Sequence, residues 1–196
     1  MINLYRISVF FLLLIYSTPI ISAEEENLEF TNWINETKNY FINFKSVSGN
    51  FTQIDNIGNI SKGTFWISGR NEVAFYYNSP SETTIIYKEG YLFFKERESD
   101  DFQKYKIDNN PIFQLLDKQS NIDKHLKNGV VDNNIVLFKI NLNKASDRNT
   151  LSVVIDFPKP KLRQWKFIDQ QKKETNIFFS KINHLKDISD DYFDTK

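Results

Sequence analysis

Residues 63–107, GTFWISGRNEVAFYYNSPSETTIIYKEGYLFFKERESDDFQKYKI, decide the reading of this chain. Short runs rich in aromatic and β-branched residues fall at Gly63–Ile67, Val73–Tyr77, Thr83–Tyr87, Tyr91–Lys95 and Phe102–Ile107. Turn-forming clusters separate them: Ser68-Gly69-Arg70-Asn71, Asn78-Ser79-Pro80, Lys88-Glu89-Gly90 and Ser99-Asp100-Asp101. Short strands joined by hairpin-sized gaps predict an antiparallel sheet, sandwich or barrel. Within the runs, bulky groups keep one parity: Val73, Phe75 and Tyr77; Ile85 and Tyr87; Leu92 and Phe94. Alternate side chains of a strand point to the same face, so these residues share a face.

The pattern extends outward in both directions. Upstream, Val47, Gly49, Phe51 and Gln53 alternate with Ser48, Asn50 and Thr52, and the turn cluster at 55–59 bounds the run. Before that strand, Leu28, Trp33, Ile34, Thr37, Phe41 and Phe44 fall near one face of a helix predicted over 28–45. Downstream, Asn109-Asn110-Pro111 breaks the strand rhythm. Pro111 suits a first helical turn, and Ile112, Phe113, Leu115, Leu116, Ile122 and Leu126 continue a helical pattern to about Lys127. Strand patterns return at Val130-Val131, Ile135–Asn141, Leu151–Phe157, Leu162–Asp169 and Thr175–Ser180, the fourth of these carrying Trp165 and Phe167 in one parity. Lys144–Asn149 and Pro158-Lys159-Pro160 are loops by composition, and Leu185–Lys196 is a polar tail. The fold class is therefore α+β: one large antiparallel sheet, a helix before it, and one or two helices inserted halfway.

The first 23 residues, MINLYRISVFFLLLIYSTPIISA, place Arg6 before an apolar run, then Pro19, then small residues at Ser22 and Ala23. That order predicts a secretory signal peptide cleaved near Ala23, leaving residues 24–196 as a single domain. The run is shorter than the roughly 20 apolar residues a membrane span requires. Formal charge is zero, with 25 basic and 25 acidic residues, and becomes −1 once Arg6 is removed. Without a basic block, nucleic acid is not an expected partner.

The chain has no cysteine, which removes disulfides, thiol nucleophiles, Cys-ligated zinc and cysteine-attached lipid. Two histidines, His125 and His184, form no catalytic or metal-ligating pattern. Phosphate loops, G-x-S-x-G elbows, H-E-x-x-H and calcium loops are absent. The pairs Asp100-Asp101 and Asp190-Asp191 sit in polar turn or tail context, and Asn35, Asn50 and Asn59 open N-x-[ST] triplets in an Asn-rich chain. No catalytic residue, metal site or cofactor is expected, and an enzyme is not the expected class. What is abundant is aromatic: 18 Phe, 9 Tyr and 3 Trp. The same-parity aromatics fit an ordinary sheet-on-helix core. They also fit an apolar cavity, because two or three modest helices are little cover for so wide an apolar face.

Several pieces together resemble the LolA family of periplasmic lipoprotein carriers. They are Val47–Gln53, Gly63–Ile67, Val73–Pro80 and Lys88–Phe94; then Asn110–Leu116, Leu162–Asp169 with the hairpin and strand QQKKETNIFFSKI, and a closing Asp191-Tyr192-Phe193. They run in the family's order over nearly all of the chain after the leader. The resemblance implies an incomplete, unclosed antiparallel β-barrel covered on its concave face by helices. It implies a periplasmic monomer that takes triacylated lipoproteins from an inner-membrane ABC lipoprotein-releasing transporter and passes them to an outer-membrane lipoprotein receptor. Lacking a cysteine, the chain falls on the side of the soluble carrier. A periplasmic sensor of lipid or lipoprotein with the same fold is the alternative.

On that reading Val47, Phe51, Phe65, Val73, Phe75, Tyr77, Ile85, Tyr87, Trp165 and Phe167 line the acyl-chain cavity, and Phe113 and Leu116 of the inserted helix close over it with Trp33 and Phe41 of the first. The family usually has Arg-Pro between its second and third of these strands, the arginine latching the helical lid. Here Ser68-Gly69-Arg70-Asn71-Glu72 stands there, and a gapless match puts Gly69 at the arginine's place. A one-residue shift makes Arg70 the lid latch; without it, Arg70 is an exposed turn residue.

Overall fold

The structure is a computed structural model and describes residues 23–107, 110–116, 122–141 and 148–196. Residues 1–22, hence nearly all of the expected signal peptide, lie outside that description, as do 144–147 of the expected loop. The elements run α1 (Ala23–Ile42), β1 (Ser46–Ile54), β2 (Ile60–Ser68), β3 (Glu72–Tyr77), β4 (Thr84–Lys88), β5 (Tyr91–Lys95), β6 (Gln103–Lys106), α2 (Pro111–Leu116) and α3 (Ile122–Leu126). They continue as β7 (Val130–Asp132), β8 (Ile135–Asn141), β9 (Thr150–Asp156), β10 (Lys161–Ile168) and β11 (Glu174–Leu185), ending in a 3-10 turn at Asp190–Phe193. The strands form one antiparallel sheet of 11, in the order β6-β5-β4-β3-β2-β1-β11-β10-β9-β8-β7. Two meanders thus meet where the last strand pairs with the first, and β6 and β7 remain as unpaired edges, so the sheet is unclosed. The first helix ends at Ile42, not at residue 45 as predicted, and Asn43–Lys45 turns the chain into β1.

The register puts one parity on one face across the whole sheet. Val47 is opposite Ile67, which is opposite Val73, which is opposite Tyr87. Phe51 pairs with Phe179, and Trp165 with both Ile177 and Val153. The middle of this face is fully buried, with Val47, Phe65, Ile67, Val73, Leu151, Val153 and Ile155 all at 0% exposure. Two reciprocal pairs tie its centre together: Phe51 lies opposite Gly63, and Phe65 opposite Gly49. A Cβ on Gly49 would come 2.7 Å from the Ser180 carbonyl and 2.9 Å from the Phe65 ring. The β11 bulge explains this crowding: Lys181 at φ 49 adds a residue opposite Gly49 and presses backbone carbonyls inward. At Gly63 the space is tighter still, since a Cβ would overlap the Tyr76 carbonyl and meet the Phe51 ring at 2.7 Å. Gly63→Val is therefore expected to force β2 and β3 apart and to destabilise by about 1–3 kcal/mol, read as a lower urea midpoint. An unchanged midpoint would show that the strands yield freely.

A second bulge, at Arg163, resets parity in β10, so that Leu162 and Trp165 both reach the buried face despite their odd separation. The helices touch this face mainly toward β8 and β9. Phe41 of α1 meets Phe138 edge-on at 5.7 Å, and Trp33 stacks on Phe157 at 4.9 Å. Lys38 of α1 reaches Asp123 of α3 at 2.8 Å.

The polar tail is more than a tail. On the opposite face, Trp66, Ala74, Ile86 and Phe93 form a stripe, and the C-terminal segment packs on it with Phe193 at 0% and Ile188 at 5% exposure. Tyr192 stacks on Trp66 at 4.4 Å, and the Tyr76 hydroxyl donates to the Tyr192 carbonyl at 2.9 Å. Ile188, Tyr192 and Phe193 stand among polar and charged residues with no regular period, so this second core was not legible in the sequence.

Candidate functional site

A cavity of about 210 Å³ opens where the ends of β1, β3, β4, β10 and β11 face the start of α2. Phe75, Tyr77, Ile85, Tyr87 and Phe167, all named from the sequence, form most of its apolar wall. Gln53, Asn110, Ile112, Thr175 and Ile177 complete it. Gln53 continues the alternation Val47-Gly49-Phe51, and Thr175 and Ile177 share a parity of their own, so spacing groups each with its face and the fold turns that face inward. Asn110 and Ile112 carry no such signal and arrive through the fold. Asn110 precedes α2 and accepts the Ile112 N–H on its Oδ1 at 2.8 Å, with Pro111 at the first helical position. That cap aims the short helix at the strand ends.

The other expected residues share the face but not the cavity wall. Val47, Phe51, Phe65, Val73, Leu116 and Trp165 are buried in the packed centre beside it. Phe113 is half-buried with its ring 6.3 Å from that of Tyr87. Trp33 and Phe41 sit against Phe157 and Phe138, away from the cavity.

The wall has a polar corner. Tyr77 donates its hydroxyl to Gln53 Oε1 at 2.7 Å. Burial pushes the Tyr87 phenol up to about 12 and raises that of Tyr77, with neighbouring Tyr87 adding to the rise. Both phenols stay neutral at any ordinary pH, and none of the described residues lining the cavity is charged.

Arg70 stands at the opposite end of the sheet, in the β2–β3 turn. Its guanidinium reaches Asp190 of the C-terminal turn at 2.6 Å and Glu72 at 3.2 Å, and its Nε reaches Ser68 at 3.3 Å. Lys88 joins Glu72 from β4 at 3.3 Å. A more open groove lies there, lined by Arg70, Glu72 and Glu89 together with Phe113 and Gln114 of α2. Among the described residues, Arg70 bonds to its own turn and to the C-terminal segment, and Phe113 and Gln114 of α2 line the same groove. Asp191, the other half of its acidic pair, accepts from Ser189 at 2.8 Å. His125 is half-buried, with its pKa lowered by burial and by Lys124. Among the described residues, no group of three or more His, Asp or Glu could hold a metal, and no helix is long and apolar enough to cross a membrane.

Fold and site together define an α+β protein built on one open antiparallel sheet, with an apolar cavity at one end of its buried face. Residues 42–196 match the family model described as outer membrane lipoprotein carrier protein LolA, and the chain belongs to that family. The match starts at the last residue of α1. No curated protein matches the chain. Among solved structures, it is similar to an uncharacterized conserved protein from Thermus thermophilus at 6% identity and TM-score 0.46, covering 86% of this chain and 92% of that one. A LolA superfamily protein from Nitrosomonas europaea is similar at 8% identity and TM-score 0.43, covering 83% and 96%. The Mycobacterium tuberculosis lipoprotein LppX is similar at 12% identity and TM-score 0.45, covering 83% and 100%.

Proposed function

We propose that this protein is a periplasmic chaperone that takes the acyl chains of triacylated lipoproteins into this cavity and carries them from the inner to the outer membrane. The supporting observation is the accessible apolar wall: Tyr77, Ile85, Tyr87, Phe167 and Ile177 remain only half-buried around an uncharged cavity, in a chain of the LolA family. Each acyl methylene withdrawn from water contributes roughly 0.8 kcal/mol, so a three-chain anchor requires a shield throughout its passage. The cavity is smaller than the roughly 300–1,000 Å³ of pockets that enclose drug-sized ligands. Three chains therefore enter only if the cover moves. The cover we assign is helical: α2 over the cavity, with α1 and α3 beside it, linked to each other by Lys38–Asp123.

Such a carrier works as a monomer and needs no catalytic group or cofactor. A donor, the inner-membrane ABC lipoprotein-releasing transporter, delivers the cargo, and an outer-membrane receptor that binds the lipid more tightly removes it. Opening then requires only that lipid burial outweigh the helix packing it displaces. The test is release of a triacylated lipoprotein from spheroplasts by the purified chain lacking residues 1–23. A soluble complex of lipoprotein and chain is the expected product. Cargo that stays in the membrane would end the carrier reading, and acyl binding without release would favour a sensor of lipid or lipoprotein.

A further inference from the structure

The hydrogen-bonding groups around the cavity are unevenly spent. Gln53 uses its Oε1 to accept from Tyr77, which leaves its amide N–H groups. Asn110 uses its Oδ1 on the Ile112 N–H, which again leaves the amide N–H groups. Among the described residues the Tyr87 hydroxyl makes no hydrogen bond, although its ring lines the cavity. What this wall offers to an occupant is mainly donors, set among aromatic and aliphatic groups. Among the described residues, no lysine, arginine or histidine lines it to neutralise an anion.

That inventory separates three ligand chemistries. A bare hydrocarbon leaves buried donors without partners, which costs more than an ordinary hydrogen bond returns. An ionised carboxylate brings an unpaired charge into an uncharged wall. A neutral acyl carbonyl accepts from the donors and brings no charge. We infer that Gln53, Tyr87 and Asn110 form a subsite for the uncharged carbonyl of an esterified or amidated acyl chain, so that the cavity discriminates against free fatty acids. This inference rests on the reading that the cavity takes acyl chains.

Displacement of a fluorescent acyl probe from the whole chain without residues 1–23 tests it, with decane, methyl decanoate and decanoic acid as competitors. Tyr87→Phe should weaken methyl decanoate roughly 3–10-fold, the worth of one hydrogen bond, and leave decane unchanged. Gln53→Met removes another donor of the subsite at similar volume and serves as a second variant if Tyr87→Phe fails to fold; it should show the same selective loss of methyl decanoate over decane. Decanoic acid should compete at least tenfold better at pH 4 than at pH 7.5, because only the neutral acid fits, while methyl decanoate shows no such change. An ester carbonyl comes from a glyceride anchor or from a phospholipid. Didecanoylglycerol should displace the probe at least tenfold better than didecanoylphosphatidylglycerol, whose phosphate carries charge toward this wall. Equal weakening of decane and ester by Tyr87→Phe would reduce the hydroxyl to packing and overturn the subsite. A flat pH response of decanoic acid, or equal displacement by the two glycerolipids, would overturn the exclusion of charge. Failure of every competitor and of the probe itself would instead remove the acyl-cavity reading, and the subsite with it.

Discussion

Phe65→Ala is expected to destabilise the protein by about 3–5 kcal/mol, the range for truncating a fully buried aromatic residue. Phe65 has 0% exposure on β2, lies opposite Gly49 on β1 and Phe75 on β3, and meets the Phe179 ring at 4.7 Å. Its neighbours cannot collapse into the space. Gly49 has no side chain to offer, and the strands on both sides are held by their ladders. The residual cavity term should therefore stay near its maximum. For a chain of this size each kcal/mol shifts the melting temperature by roughly 2–4 °C, so a fall of about 10 °C is expected in thermal circular dichroism. A shift below about 3 °C would mean that the centre of the sheet repacks, and that the Phe–Gly pairs do not hold it.

Ile85→Glu should act on binding far more than on folding. Ile85 lines the cavity from β4, between Phe75 and Phe94 on the same face. With the cavity empty, the new carboxylate can keep water around it through the accessible wall. Once an acyl chain fills the space that water leaves, and among the described residues no lining cation replaces it. An unpaired buried charge costs several kcal/mol, so affinity for methyl decanoate should fall at least about 100-fold. The carboxyl escapes by taking a proton, and its pKa is then higher in the bound state than in the free one. Ligand binding is thereby coupled to proton uptake, so affinity recovers as pH falls toward 5 and is lost as pH rises. Ile85→Gln should lose less and show no pH dependence. Unchanged binding by Ile85→Glu at pH 7.5 would place the acyl chain elsewhere.

Much of the sheet was legible because alternation belongs to the backbone itself. Val73, Phe75 and Tyr77 share a face in any strand, and the register merely joins that face to Ile85 and Tyr87 on one side and to Phe65 on the other. Where a bulge intervenes the rule fails. Leu162 has the wrong parity relative to Trp165, and only the extra residue Arg163 brings both inward. The Gly49 and Gly63 positions were readable as glycines but not as the seats of Phe65 and Phe51, since each pairing depends on the register between β1 and β2. For Arg70, the sequence left a latch and an exposed turn residue open. Its bond to Asp190 depends on a tail folding back over 120 residues of chain, whereas Glu72 stands only two residues away at the start of β3.

By itself, then, the sequence determined the strands, which of their residues share a face and the α+β class, because each is written in local spacing that every copy of such a strand must obey. Tertiary structure alone decided that β11 pairs with β1, that Phe193 buries itself on the other face, and that the cavity lies at one end of the sheet with Asn110 on its rim. Those outcomes depend on how volumes from distant segments fill a shared space. Gln53, Tyr87, Asn110 and Thr175 border one cavity only because five strand ends and a capped helix converge there, and no local period records that convergence.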